Sequence, residues 1–169
     1  MVSVDSGNVK LTGDQTITGT KTFSSDIRVN GLTIGRGLAL LTGNTALGVN
    51  ALSSSTSGNG NTAVGEDALP VNTNGTANTA TGWQSLSANT TGGLNSAYGY
   101  RSLYKNTTGG NNAAFGVSSG QFTANKITEV TATSNSVFLG RRTSPLGNSQ
   151  TNQIVIGDDA NGLGSNTTV

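Results

Sequence analysis

The chain has 169 residues, of which 33% are apolar and 10% charged, and its formal net charge is +1. Soluble globular domains have about 45–50% apolar and about 25% charged residues, so a globule with a thick apolar core is not expected. The near-zero net charge also argues against nucleic-acid binding. There is no His and no Cys, which removes disulfides and the commonest general base. We therefore predict no enzymatic activity, no cofactor and no bound metal.

Residues 1–35 precede the regular part of the chain. Apolar and polar side chains alternate there in places, as at Val9 with Leu11 and at Ile27 with Val29. Alternation of period two is typical of strands. We predict a β-rich neck or connector over residues 1–35.

A nine-residue motif then recurs five times within residues 36–120, as NTALGVNAL, NTAVGEDAL, NTATGWQSL, NSAYGYRSL and NAAFGVSSG. The copies begin 17 residues apart, and this interval also separates the motif glycines from Gly48 to Gly116. A short fixed period indicates stacked supersecondary units, each too small to be stable alone. We predict an all-β parallel β-roll or β-solenoid with 17-residue coils, each made of two short strands and two turns.

Side chains near the motif glycine divide between two faces of a strand. Residues one and three before the glycine, such as Leu47 and Thr45, are mostly the larger ones, and we predict that they line the coil interior. The leucine four residues after the glycine would close that interior from the opposite wall. The small residues two before the glycine would then face outward, towards another chain: Ala46, Ala63, Ala80, Ala97 and Ala114. The asparagines that open the motif are expected to form a hydrogen-bonded ladder: Asn44, Asn61, Asn78, Asn95 and Asn112.

Beyond Gly116 the series skips 24 residues to Gly140 in NSVFLG and returns to 17 at Gly157 in NQIVIG. We predict an insertion over residues 121–134 and a second group of repeats over residues 135–169. The final GLGSNTTV is similar to the start of another coil, which suggests a piece of a longer protein.

The segments SVFLG and NQIVIGDDA resemble the head repeats of trimeric autotransporter (YadA-like) adhesins, which are left-handed parallel β-rolls. The NTAxGxxAL…NTTGG repeat, the opening TGDQTITGTKTF and the ending TNQIVIGDDANGLGSNTTV are more similar to a bacteriophage tail fibre. In such fibres a similar ending often precedes an intramolecular chaperone that is cut off after trimerisation. The 17-residue period is longer than the adhesin repeat.

This resemblance implies an intertwined or side-by-side homotrimer in the virion that attaches the phage to its bacterial host. The implied partners are the chain itself, other tail proteins, and a surface glycan or outer-membrane protein of the host. The head of a bacterial cell-surface adhesin is the alternative. Membrane insertion is not expected, because no apolar run approaches the ~18 residues of a membrane span.

An aromatic and basic cluster is the best candidate for receptor binding: Trp83, Tyr100, Arg101, Tyr104 and Lys105. Trp83 and Tyr100 take the same position in successive coils, so their rings should lie about 4.8 Å apart along the stack. Exposed rings suit both sugar faces and protein hot spots, and structural packing is the competing interpretation. We assign the neighbouring Tyr98 to the core.

Two further functions are less favoured. The acidic pairs Glu66–Asp67 and Asp158–Asp159 raise the alternative of a polysaccharide depolymerase. Adjacent residues of a strand point to opposite faces, so neither pair flanks one glycosidic bond as a glycosidase requires.

The segment GDDANG carries oxygen donors that suit calcium, but it lacks the spacing of a calcium-binding EF-hand loop. An ice-binding solenoid would need a regular threonine column, which here gives way to Ser96 and Ala113.

Overall fold

The computed structural model describes residues 20, 25–37, 41–123, 125, 128–166 and 168–169. Much of the predicted neck, residues 1–19 and 21–24, lies outside the described residues. The described part is all-β without a helix, and therefore without a helix that could cross a membrane. It is a parallel β-solenoid of about 6 turns with coils of about 17 residues. Its strands are β1 (Ile27–Val29), β2 (Leu32–Gly35), β3 (Thr45–Gly48), β4 (Thr62–Val64), β5 (Thr79–Thr81), β6 (Ser96–Tyr98), β7 (Ala113–Phe115), β8 (Thr133–Ser134), β9 (Val137–Leu139), β10 (Gln150–Thr151) and β11 (Ile154–Ile156).

One sheet runs the length of the solenoid. Strands β1 and β2 form an antiparallel hairpin, and β2 also pairs with β3 in the antiparallel direction. From β3 onward the strands are parallel, in the order β3-β4-β5-β6-β7-β9-β11. Each residue pairs with its equivalent in the next coil, as Ala46 does with Ala63. A second, two-stranded parallel sheet joins β8 and β10.

The motif glycine ends each strand because only glycine fits there. Gly82 has a φ of +125°, and a Cβ added to it would lie 2.7 Å from the carbonyl carbon and oxygen of Gly99 in the next coil. A residue with a side chain would be strained at that φ and would also collide with the neighbouring backbone. The glycine column therefore allows both the turn and the close stacking of coils.

The wall opposite the sheet differs from the prediction of a second strand in each coil. In the regular repeats this wall consists of turns, in which Asp67 (φ 52°) and Leu69 (φ 50°) are left-handed. Left-handed residues at alternate positions prevent an extended strand. The wall is still bonded from coil to coil, because the Leu69 N–H donates to the Ser85 carbonyl at 3.2 Å.

The interior lies on the side of the alanines, so the predicted inside and outside of the strands were reversed. The motif alanines are at most 1% exposed, and the leucines of the opposite wall are fully buried. The coil is too thin to hold two large side chains in the same layer, so each leucine is matched with an alanine. The alanines predicted to face another chain are therefore core residues of a single chain: Ala46, Ala63, Ala80, Ala97 and Ala114.

Large and small side chains are also matched across the interior at the place where the alanine column ends. In the coil after Ala114 the inward residue is Phe138, which is fully buried. Gly120 takes the leucine position in the coil of Ala114, next to that of Phe138, and a Cβ on it would lie 2.7 Å from Leu103 and 3.1 Å from Phe138. A large residue on one wall thus occurs with a small residue on the other, as a close-packed interior requires.

The asparagines that open the motif lie inside the coil with the alanines. They are at most 5% exposed, and each side-chain oxygen accepts a hydrogen bond from the backbone N–H of the next member at 2.8–3.2 Å. Their side-chain amides also bind glycine carbonyls within the coil, as Asn61 binds Gly75 at 2.9 Å. The ladder runs from Asn44 to Asn112 and is continued by Ser136, whose N–H donates to Asn112 Oδ1.

The sheet has two columns of outward residues, one of them largely Thr and Ser, and the other, here called the outer stripe, mostly apolar. Six of its members are 38–52% exposed, including Tyr98, which was predicted to lie in the core, whereas Val64 and Thr81 are half-buried. The Tyr98 and Phe115 rings stack with centroids 4.9 Å apart and planes at 5°. The outer stripe consists of Ile34, Leu47, Val64, Thr81, Tyr98, Phe115, Leu139 and Ile156.

The predicted insertion over residues 121–134 interrupts the regular stack at its described residues before Thr131. Phe122 and Glu129 form an antiparallel bridge, and the Val130 N–H donates to the Gln121 carbonyl at 2.8 Å. The stack then resumes, because the Thr107 N–H donates to the Thr131 carbonyl at 2.8 Å. This excursion accounts for the 24-residue interval in the glycine series.

Candidate ligand-binding surface

The candidate receptor-binding residues lie along one edge of the solenoid, where each coil turns from the sheet to the opposite wall. The first residue after the motif glycine points to solvent along this edge, and Trp83 there is 50% exposed. Tyr100 takes the same position one coil further on and is half-buried. The structure brings all five predicted residues together in one area, here called the aromatic–basic patch: Trp83, Tyr100, Arg101, Tyr104 and Lys105.

Trp83 and Tyr100 are in contact but are not stacked flat. Their ring centroids are 5.4 Å apart and their planes meet at 55°, whereas the coil spacing alone predicts about 4.8 Å between parallel rings. Tilted arrangements of aromatic rings avoid the repulsion between two electron-rich faces. The pair offers a bent aromatic surface to solvent.

Arg101 lies between two tyrosines of its own coil. Its guanidinium carbon is 5.2 Å from the centroid of Tyr100 and 4.8 Å from that of Tyr104, within the range of cation–π attraction. Its Nε donates to Gln84 Oε1 at 2.8 Å. The sequence did not point to Gln84, which fixes the guanidinium from the neighbouring coil.

The two cations of the patch differ in their partners. Lys105 Nζ lies 4.8 Å from the Tyr104 ring and 3.7 Å from Glu129 Oε2, so its charge is partly balanced. Arg101 has no carboxylate within 4.0 Å among the described residues. The remaining N–H groups of its guanidinium are therefore available to a negatively charged ligand.

Both acidic pairs considered for catalysis have polar partners in the structure. Arg141 forms two hydrogen bonds of 2.8 Å with the carboxylate of Asp158, and Arg142 Nε lies 3.3 Å from Asp159. The hydrogen bond and the charge of Asp158 raise the pKa of Arg141. Asp67 accepts a hydrogen bond from Asn50 at 3.1 Å.

Within the described ranges no group of three or more Asp and Glu side chains is placed to hold a metal ion. The GDDANG segment is instead bonded to the preceding coil, since both of its aspartates contact Arg141. A cation at that place would have to displace this arginine.

The chain has no significant match among protein-family models, curated proteins or solved structures. The fold class of the described residues is a parallel β-solenoid. Functional inference therefore depends on two exposed features of this solenoid, the outer stripe and the aromatic–basic patch.

Proposed function

We propose that the chain is a structural and receptor-binding segment of a trimeric bacteriophage tail fibre that attaches the virion to its bacterial host. The observation that carries the proposal is the outer stripe, an apolar column that is exposed towards both ends of the sheet and half-buried at Val64 and Thr81 between them. Scattered exposed apolar residues are normal, but a continuous exposed patch indicates an interaction surface.

The size and composition of this face favour self-association. Strands β2–β7, β9 and β11 contain no charged residue. Side chains of roughly 150–250 Å² that are about 40% exposed leave on the order of 500 Å² along the stripe. A stable interface buries about 800 Å² per partner, so the stripe and its immediate neighbours approach the required area.

A second copy of this chain is the partner that matches the stripe along its full length. Another parallel stack has the same spacing of about 4.8 Å between coils, so apolar side chains of equal height can meet coil by coil. Closed cyclic symmetry would give every copy the same contacts and leave no stripe open. The number three comes from the resemblance to tail fibres and adhesins, and the stripe provides the physical reason for association.

Receptor binding is assigned to the aromatic–basic patch. Its residues follow the motif glycine and point away from the sheet face, so they remain exposed when the outer stripes are joined. Aromatic side chains with few rotatable bonds lose little entropy on binding, which suits a recognition surface. The partners proposed are a host surface glycan or outer-membrane protein, together with other tail proteins.

A cell-binding assay tests the proposal. Fluorescently labelled protein should bind intact cells of the phage's host and should compete with the virion for adsorption. Replacing both Trp83 and Tyr100 by Ala should abolish binding without changing the native mass. The matched control replaces Val49 and Val117, which are exposed at the same position of other coils, and it should bind normally. Equal binding by the two double variants would overturn the assignment of the patch.

The head of a bacterial cell-surface adhesin is the second candidate, since the NSVFLG and NQIVIG segments that motivate it form β9 and β11 of the same stack. Immunogold labelling distinguishes the two possibilities. Antibody on purified virions supports the tail fibre, and antibody on uninfected bacteria supports the adhesin.

A further inference from the structure

Arg101 is a cation held in place with part of its hydrogen-bonding capacity unused. Gln84 occupies its Nε at 2.8 Å, and two tyrosine rings flank its guanidinium at 4.8–5.2 Å. No carboxylate lies within 4.0 Å in the described part of the chain. A fixed guanidinium loses little entropy on binding and presents two parallel N–H groups that match a carboxylate. The geometry therefore suits an anionic group on a ligand.

Beside this cation lie two rings along the solenoid axis, one exposed and one half-buried. Trp83 and Tyr100 are separated by one coil, with centroids 5.4 Å apart, a spacing close to the length of one sugar unit in an extended polysaccharide. Aromatic rings pack well against the apolar faces of sugars. A polysaccharide lying along the edge could place consecutive sugar units on the two rings and a carboxylate on Arg101.

We propose that the aromatic–basic patch binds a carboxylated polysaccharide, with Trp83 and Tyr100 stacking on sugar rings and Arg101 binding the carboxylate. This inference rests on the proposed receptor-binding role and specifies the chemical class of the receptor. Lys105 contributes less than Arg101, because Glu129 already balances part of its charge.

Other anionic or aromatic-binding partners fit the patch less well. Binding of nucleic acid needs several cations that follow the phosphate backbone. Among the described residues, Arg101 is the one cation of the patch without a carboxylate partner. A protein hot spot is usually surrounded by contacts that exclude water, whereas the polar side chain of Gln84 binds Arg101 within the patch. A carboxylated polysaccharide would contact both aromatic rings and also Arg101.

Affinity electrophoresis tests the inference with two forms of one probe. The probe is the carboxylated surface polysaccharide purified from a strain that the labelled protein binds, or otherwise from the phage's host. Its second form has the carboxyl groups chemically reduced to alcohols. The carboxylated form should retard the wild-type protein, and less so at high salt. The reduced form should not retard it.

Two pairs of variants assign the contacts. R101Q should weaken binding by about ten- to hundredfold, because a charged hydrogen bond is lost. R28Q removes the same charge from an exposed site on β1 and should bind as the wild type does. W83A should abolish retardation, whereas V49A should not. The native mass and melting temperature of each variant establish that it is folded.

The outcomes separate this inference from the proposed function. Equal retardation by both forms of the polymer, no retardation by the carboxylated form, or identical binding by R101Q and R28Q would overturn the inference. Wild-type binding to cells that persists after their polysaccharide is removed would also overturn it and would indicate a protein receptor, leaving the proposed attachment role intact. Retention of the carboxylated polymer without any binding to cells would support the inference and contradict the attachment role.

Discussion

The side-chain oxygen of Asn61 accepts two hydrogen bonds from Asn78 in the next coil, one from the backbone N–H at 3.0 Å and one from the side-chain amide at 3.1 Å. The same amide of Asn78 donates to the Gly92 carbonyl at 2.8 Å. Both asparagines are fully buried. Each member of the ladder thus joins its coil to its neighbour, and such contacts between neighbouring repeats contribute to the stability of a repeat protein.

Asn78→Ala should destabilise the protein by about 1–3 kcal/mol, because the buried backbone N–H of Asn95 would lose its acceptor. Chemical denaturation of the single variant measures this change. Asn74→Ala is the matched control, since Asn74 is exposed and accepts hydrogen bonds only from the exposed hydroxyls of Thr56 and Ser57 among the described residues. It should cost less than about 0.5 kcal/mol. Similar losses in the two variants would show that the ladder does not stabilise the coil.

Ala80→Leu tests which side of the strand faces the interior. Ala80 is fully buried, and added methylenes in a packed core typically cost about 1–3 kcal/mol. The neighbouring Thr81→Leu places the same side chain on the outer stripe and should change the free energy of unfolding by less than about 1 kcal/mol. Thermal melting monitored by circular dichroism compares the two. A greater loss of stability for the Thr81 variant would contradict the burial of the alanine column.

Gly82→Ala should prevent the regular stack from forming, or destabilise it by more than about 3 kcal/mol, because backbone strain adds to a collision. The added methyl group would lie 2.7 Å from the carbonyl of Gly99. Gly147→Ala is the control, since a Cβ there has no neighbour within 4 Å, and its melting temperature should stay close to that of the wild type. Normal folding of the Gly82 variant would show that the glycine column is not required.

The repeat interval was enough to predict a parallel β-solenoid, because few structures return to the same point every 17 residues. The interior face was predicted wrongly because residue size was used in place of strand geometry. Asn61 and Ala63 are two residues apart and so lie on the same face of a strand. An asparagine ladder is strongest when it is buried, so the predicted ladder already implied that the alanines face inward.

The candidate surface was predictable only in part. The common position of Trp83 and Tyr100 in the repeat was visible in the sequence, and their proximity follows from it. The contact between Tyr104 and Arg101 was not visible in the sequence, because it depends on the left-handed conformation of Leu103 (φ 50°) in the intervening turn. The role of Gln84 in holding Arg101 comes from contact between coils, which spacing alone does not reveal.

The native mass in solution tests self-association through the outer stripe most directly. Sedimentation equilibrium of the wild-type chain should give three times the 16.9 kDa of one chain. Phe115→Lys places a charge on the stripe beside Tyr98, where Phe115 is 40% exposed, and should give the mass of a single chain with an unchanged β-sheet spectrum. A wild-type mass of one chain, or a lysine variant that associates as tightly as the wild type, would contradict assembly through this face.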